Sequence, residues 1–182
     1  ILCNRCNECA GRLWEHRELV CALNPVSGRE AYWGEGTLQM VRADEAKSIV
    51  VVGGGPAGMK AAAVAAARGH KVSLLEEAGS LGGHLRLLQQ LPGLGDWSIA
   101  VDNLQREMKN HGVVVETGVT ATLSGIKSRA PDAVVFATGS HFEKTGLSLY
   151  RPDRDTIPGA NSEWVMDVEQ AACAGLRDGH AL

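Results

Sequence analysis

Ser48-Ile49-Val50-Val51-Val52-Gly53-Gly54-Gly55-Pro56-Ala57-Gly58 is the stretch on which the reading of this chain turns. Its first half is nearly continuous apolar sequence, which predicts a strand buried on both faces of a parallel sheet. Its second half follows the order G-x-G-x-x-G. In that order Gly53 permits a tight turn, Gly55 lets a pyrophosphate approach the backbone, and Gly58 allows the next helix to pack close to the strand. Pro56 lacks an N–H, a loss that costs little in a first helical turn. From Ala57 to Arg68 the chain is rich in Ala and reads as a helix stopped by Gly69. The start of that helix offers free amides and a positive dipole end to a phosphate.

Working outward, Lys71 to Glu76 predicts a second strand, and Glu76 closes it. A carboxylate there can accept from a ribose 2′-hydroxyl and would repel a 2′-phosphate. This favours FAD, NAD or ADP over NADP; the plainer alternative is a solvated strand end. A later apolar strand, Ala133 to Ala137, runs into Thr138-Gly139, small residues that let the chain cross near a ligand. Gly83, His84, Leu85 and Val119 complete the candidate cofactor contacts, beside Gly53, Gly55, Pro56, Ala57, Gly58, Glu76, Thr138 and Gly139. For His84 a plain surface role competes with one facing the nucleotide. His70 and His111 sit beside Gly at helix ends, within reach of terminal carbonyls.

Between these strands, residues 83–91 predict a short helix, Ile99 to Asn110 another, and Val113 to Glu116 a third strand. The alternation predicts an α/β fold, a doubly wound Rossmann-like FAD/NAD(P)-binding parallel sheet. From Gly139 onward the pattern dissolves into polar turns, with a helical tail from Ser162. Residues 1–47 then form a lobe and connector, 48–160 the dinucleotide-binding domain, and 161–182 a partial crossover toward a second nucleotide domain.

Upstream of the strand stand Cys3, Cys6, Cys9 and Cys21, the pattern C-x2-C-x2-C-x11-C. Three cysteines so spaced can curl three thiolates around one compact group, and the fourth returns to close it. The spacing favours a [4Fe–4S] cluster. Zinc, which more often takes two separate C-x2-C knuckles, ranks behind it, and a structural or disulfide role last. Asn4, Asn7 and nearby amides are candidate donors to the sulfurs. Trp14 is either a shield for the site or, preferred, an ordinary core anchor. The fifth cysteine, Cys173, lies in a small-residue helical patch and reads as a buried, inert thiol.

Composition narrows the function classes. A net charge of -3 carries no nucleic-acid footprint. The longest apolar candidate, Ala61 to Ala67, is far short of a membrane span. Five cysteines without an export signal point to a reducing, cytoplasmic compartment. The sequence begins at Ile1, and its aromatic content of 4% is low. Both lead to the expectation of a fragment that relies on surfaces supplied by a neighbour, with Leu2, Leu13 and Trp14 forming an apolar outer face.

With these motifs in place, the chain resembles the middle of the old-yellow-enzyme-type iron–sulfur flavoproteins. That family includes trimethylamine and histamine dehydrogenases and 2,4-dienoyl-CoA reductase. The carrying stretches are Cys3–Cys21, Asn24-Pro25-Val26-Ser27-Gly28-Arg29-Glu30, Val50–Gly58, Leu81-Gly82-Gly83-His84-Leu85, Leu91-Pro92-Gly93-Leu94-Gly95-Asp96-Trp97-Ser98 and Ala137-Thr138-Gly139. The resemblance implies an FMN-bearing TIM barrel before this chain and a second nucleotide domain after it, neither present here. It therefore assigns no catalytic residue to this chain. Gly-Gly-His-Leu with Leu-Pro-Gly-Leu-Gly-Asp-Trp looks most like the amine dehydrogenase branch, in which electrons pass from FMN to the cluster and on to an electron-transfer flavoprotein. The alternatives are an NADPH-dependent enoate or 2,4-dienoyl-CoA reductase using FAD, with the flow reversed, or a zinc-stapled nucleotide-binding domain without a redox role. In the amine branch the nucleotide site can hold ADP instead of FAD. The parent is expected to be a homo-oligomer.

Overall fold

In a computed structural model the chain is described over residues 3–34, 40–142, 145–146, 150–151 and 153–174. Two short helices, α1 (Glu8–Trp14) and α2 (Glu30–Trp33), lie in the cysteine-bearing segment. The α/β part follows as β1 (Ser48–Val52), α3 (Pro56–Ala67), β2 (Lys71–Glu76), α4 (Leu85–Leu88), α5 (Ser98–Asn110), β3 (Val114–Thr117), α6 (Leu123–Ser128) and β4 (Ala133–Phe136). Then comes α7 (Val168–Cys173). The strands lie in the order β3-β2-β1-β4 and every pairing is parallel.

The chain winds both ways from β1. Ile49 and Val51 point to the face where Met59, Ala62 and Ala63 of α3 and Ala100, Val101 and Met108 of α5 form the main core. The alternating residues Val50 and Val52 point to the other face, where they join Leu75 and meet Ala121 and Ile126, the latter on α6. Period-two alternation thus splits one apolar strand between two cores. The Ala-rich side of α3 lets the helix lie close to the sheet, and Lys60 of α3 donates to Glu107 of α5 at 2.5 Å. This half-buried ion pair holds the two crossing helices side by side.

The two faces are unequally covered. Phe136 shares the Val52 face by register and is exposed, as is Val114, which shares the Ser73 face. Exposed apolar side chains on a sheet edge are costly in water, about 25 cal/mol per Å² of apolar surface left unburied.

The elements expected from residue 48 onward are present with three differences. The helix expected over 83–91 is confined to Leu85–Leu88, because Pro92 and Gly93 turn the chain soon afterwards. The tail expected to be helical from Ser162 starts its helix at α7. There Asp167 accepts from the Gln170 amide at 2.7 Å while the Gln170 side chain accepts from the Asp167 amide at 3.1 Å, a reciprocal cap that sets the start. Helix α6 was not expected. It is short, carries Gly125 and shows no apolar period; Thr122 caps it by accepting from the Gly125 amide at 3.1 Å.

Two side chains correct the sequence reading. Trp14 is 85% exposed, and α1 buries no residue, so Trp14 is not a core anchor. Cys173 is exposed where a buried thiol was expected, because Ala172 takes the inward position on α7. Leu13 and Trp14 are both exposed, as expected for an outer face; Leu2 lies outside the described residues. His70 does not serve a helix-end carbonyl. Its Nδ1 accepts from the Lys47 amide at 3.1 Å and ties the connector to the start of β2. No helix among the described residues is long and apolar enough to cross a membrane.

One substitution tests the closest packing in this fold. A Cβ on Gly58 would stand 1.9 Å from the Gly53 carbonyl oxygen and 3.2 Å from the Ala137 side chain. Gly58→Ala is therefore expected to cost about 1–3 kcal/mol despite its better helix propensity. At ~2–4 °C per kcal/mol the loss is visible in a thermal melt. An unchanged or higher Tm would show that α3 does not press on the β1 turn.

Candidate functional site

The crevice of this fold lies where the winding reverses, at the carboxyl ends of β1 and β4. Gly53 leaves β1 at φ 106, and a Cβ on it would stand 2.2 Å from the Ala137 carbonyl oxygen at the end of β4. Both the backbone angle and the contact exclude a larger residue. Gly54 is held on two sides: its amide donates to Glu76 Oε2 at 2.5 Å and its carbonyl accepts from the Gly82 amide at 2.9 Å.

Gly55 differs in kind. A Cβ there would meet nothing within 4 Å, so the space in front of it is open. Pro56 and Ala57 follow at the exposed start of α3, and the first intrahelical bond runs from the Met59 amide to the Gly55 carbonyl at 2.9 Å. The amides of Ala57 and Gly58 thus remain available at the positive end of a twelve-residue helix. An open cradle against bare backbone, at a helix N-terminus, fits a pyrophosphate.

Glu76 does more here than the sequence suggested. Its Oε2 accepts from Gly54, and its Oε1 accepts from the Ala78 amide at 2.8 Å. Two carboxylate oxygens carry about four acceptor sites, so two bonds leave capacity for a ribose hydroxyl. Glu76 therefore braces the glycine turn and faces the same crevice. The Val119 amide donates to the Glu76 carbonyl at 2.9 Å, which seats half-buried Val119 beside it.

The other candidates divide. Gly83 comes against the turn, since a Cβ on it would lie 3.1 Å from Gly55 Cα. His84 follows and packs on Phe142, with ring centroids 4.8 Å apart. Phe142 was not singled out in the sequence; it lies in the featureless stretch after Gly139. Leu85 belongs to the main core at 9% exposure, so only its backbone can face a ligand. Thr138 and Gly139 are exposed at the end of β4, on the far lip of the crevice.

The cysteines form a second centre. Arg5 and Asn7, two of the four residues between Cys3, Cys6 and Cys9, both stand at φ 59. Left-handed backbone in a non-glycine residue costs roughly 1–2 kcal/mol. Alternating hands turn successive amides inward into a concavity suited to anionic groups, iron–sulfur sites included. The Arg5 amide already donates to Cys3 Sγ at 3.3 Å. Cys6 and Cys21 line one open depression of about 410 Å³ with Glu8, Val20, Ala22 and Trp97. Cys3 is exposed on the loop before α1, and Cys9 is exposed in the first turn of α1. Among the described residues, no three Cys, His, Asp or Glu side chains are gathered as for a single ion.

The aromatic wall of that depression is Trp97, not Trp14. Trp97 also packs against the main core, as does Leu23 from the cysteine segment. Beside it Asp96 accepts from the Arg5 guanidinium, and this hydrogen bond and charge hold the Arg5 pKa above its ordinary value. Asp96 and Trp97 thus tie the cysteine segment to the core of the nucleotide fold. The Pro and Gly residues before them marked a turn in the sequence but not its destination.

Residues 48–121 match the family described as FAD dependent oxidoreductase. The chain is 44% identical over 130 residues to the NADH oxidase of Thermoanaerobacter brockii, covering 71% of this chain and 19% of that protein. It is 41% identical over 140 residues to the cinnamate reductase of Clostridium sporogenes, covering 76% and 20%. Among solved structures, 6-hydroxypseudooxynicotine amine oxidase from Pseudomonas geniculata N1 is similar at TM-score 0.79 and 28% identity, over 88% of this chain and 24% of that one. The chain spans about a fifth of the length of the curated relatives it matches. The matches include proteins of both the reductase and the amine-oxidising kind, all named as oxidoreductases. Over residues 48–121 the chain is similar to the FAD-dependent oxidoreductases.

Proposed function

We propose that this chain is the nucleotide-binding and electron-transfer section of an iron–sulfur flavoprotein oxidoreductase. The carrying observation is that the open cradle at Gly55 and the cysteine-lined depression share one framework, joined through Asp96 and Trp97. Gly53, Gly55, Ala57, Gly58 and Glu76 would hold the ADP half of FAD, or ADP itself, and Cys3, Cys6, Cys9 and Cys21 a [4Fe–4S] cluster. Bound there, the two groups supply electron transfer. The chain's residues supply amides for the phosphates, a carboxylate for the ribose and thiolates for the iron.

For the parent protein we favour the reductase direction, in which a nicotinamide nucleotide is the electron source. The relatives at 44% and 41% identity are named an NADH oxidase and a cinnamate reductase. An N,N-dimethylglycine/sarcosine dehydrogenase and a dimethylamine dehydrogenase follow at 35% and 29%. The amine dehydrogenase direction, with an electron-transfer flavoprotein as acceptor, is the second reading. Solved structures of both kinds are similar: the amine oxidase at TM-score 0.79 and a 2-naphthoyl-CoA reductase at 0.77, each at 28% identity. In either direction an FMN-bearing barrel and a second nucleotide domain would complete the enzyme. The nucleotide released on denaturation separates FAD from ADP: flavin absorbs in the visible and ADP does not.

Nucleotide binding and metal content test this reading. ADP or FAD should bind at least ~1.4 kcal/mol, about tenfold, more tightly than the 2′-phosphorylated analogue in titration calorimetry. Gly55→Val should abolish that binding with little change in Tm, because a Cβ there meets no heavy atom within 4 Å and the branched side chain takes up room in the cradle. Equal affinities, or a Gly55→Val variant that still binds, would remove the assignment. Protein prepared anaerobically should carry about four irons per chain. Cys21→Ser should lose most of them and Cys173→Ser none. Stoichiometric zinc without iron would replace the cluster with a zinc staple.

A further inference from the structure

Two close approaches flank the glycine turn. On one side Gly53 lies against the end of β4, where a Cβ on it would stand 2.2 Å from the Ala137 carbonyl oxygen. On the other, Gly83 comes up to Gly55, since a Cβ on it would lie 3.1 Å from Gly55 Cα. A third contact joins the two sides. The His84 ring, next in sequence to Gly83, packs on the Phe142 ring, which follows Ala137 by a short stretch, with centroids 4.8 Å apart and planes tilted by 35°. The chain therefore closes a small circuit. It runs from Gly53 to Gly55, across to Gly83 and His84, across the rings to Phe142, and back along residues 138–142 to Ala137. The sides of this circuit are not equally firm. The Ala137 amide donates to the Val52 carbonyl at 2.8 Å, and the Gly82 amide to the Gly54 carbonyl at 2.9 Å. Residues 138–142 make no hydrogen bond among the described residues, and Phe142 is 38% exposed. The ring pair is the side that can part without breaking a strand or the glycine turn.

We infer that His84 and Phe142 form an aromatic clasp on the nucleotide crevice, which parts to admit a nucleotide and closes again once the phosphates lie on the Gly55 cradle. The inference rests on the nucleotide reading above. A clasp that closes alike over an empty and a filled cradle slows entry and exit by the same factor. It leaves the equilibrium affinity unchanged, because a ligand shifts a two-state element only by its differential affinity for the two states. The competing role is a wall on which the bound nucleotide stacks. A wall would raise affinity by slowing release alone, as most binding contacts do. The rings therefore act on passage, and neither is a catalytic residue.

Radiolabelled ADP on the whole chain separates the two roles, with uptake followed after rapid mixing and release followed in a chase with unlabelled ADP. Phe142→Ala should speed uptake and release together, by roughly two- to tenfold, the equilibrium weight of one aromatic pair. Its affinity for ADP in titration calorimetry should stay at the wild-type value. His84→Ala should do the same; His84 makes no side-chain cap to α4, so the change removes the ring contact without loosening a helix start. The double variant should be no faster than either single one, because both remove the same contact. Phe142→Tyr, which keeps a ring, should stay near wild type. Should Phe142→Ala lower the Tm, His84→Ala decides. Faster release with unchanged uptake and weaker binding makes the pair a stacking wall and overturns the clasp. Wild-type rates in both single variants overturn it as well. A wild-type chain that takes up no ADP overturns the nucleotide reading itself, and the clasp falls with it.

Discussion

A Cβ on Gly58 would stand 1.9 Å from the Gly53 carbonyl oxygen, and one on Gly53 would stand 2.2 Å from that of Ala137. Helix α3 can therefore start where it does only because bare backbone meets bare backbone at the ends of β1 and β4. Several features depend on that approach. It aims the first amides of α3 into the crevice. It leaves Gly55 facing open space, and it brings the Gly54 amide to Glu76. The glycines do separate jobs: Gly53 and Gly58 are filled in by protein, while Gly55 is left clear. That contrast is why substitutions at Gly58 and Gly55 should fail in different ways, one in folding and the other in binding.

The second dependence is between the cysteine segment and the nucleotide fold. Alone, residues 3–34 bury only Asn4 and Gly34 and have almost no core of their own. They are carried by the larger domain through Leu23 against the main core, Arg5 against Asp96, and Trp97 beside Cys6 and Cys21. The Arg5–Asp96 pair is exposed and weak by itself, as surface ion pairs are. Its use is directional: it holds the left-handed Arg5 where its amide meets Cys3. Under the proposed cluster reading, a segment with so little apolar support would draw its stability from ligation, which would link metal and fold.

The sheet is uneven in the same sense. The face under α3 and α5 is filled, whereas the Val52 face is covered by little more than α6, leaving Phe136 exposed. The long relatives, of which this chain spans about a fifth, show that such a section works within a larger body.

Much of the fold was legible in the sequence because it is governed by local rules. The strands at 48–52 and 71–76 are read from unbroken apolar runs, the helix after them from Ala content and a glycine stop, and the cradle from glycine order. These depend on neighbours within a few residues. The cysteine spacing, likewise, suggested a metal-ligating loop without reference to the fold, while among the described residues the structure gathers no three such ligands. Tertiary structure decided what depends on distant partners. Trp97 rather than Trp14 lines the cysteine depression, because the Leu91–Trp97 turn is carried back to the cysteine loop across more than seventy residues of chain. Glu76 braces the Gly54 amide as well as facing the crevice, a bond made only when adjacent parallel strands are in register. Leu85 went to the core, Cys173 outward, and the Asn4 amide into an enclosed place without a partner. Burial is a property of the assembled surface, and a residue's type sets its preference but not its address.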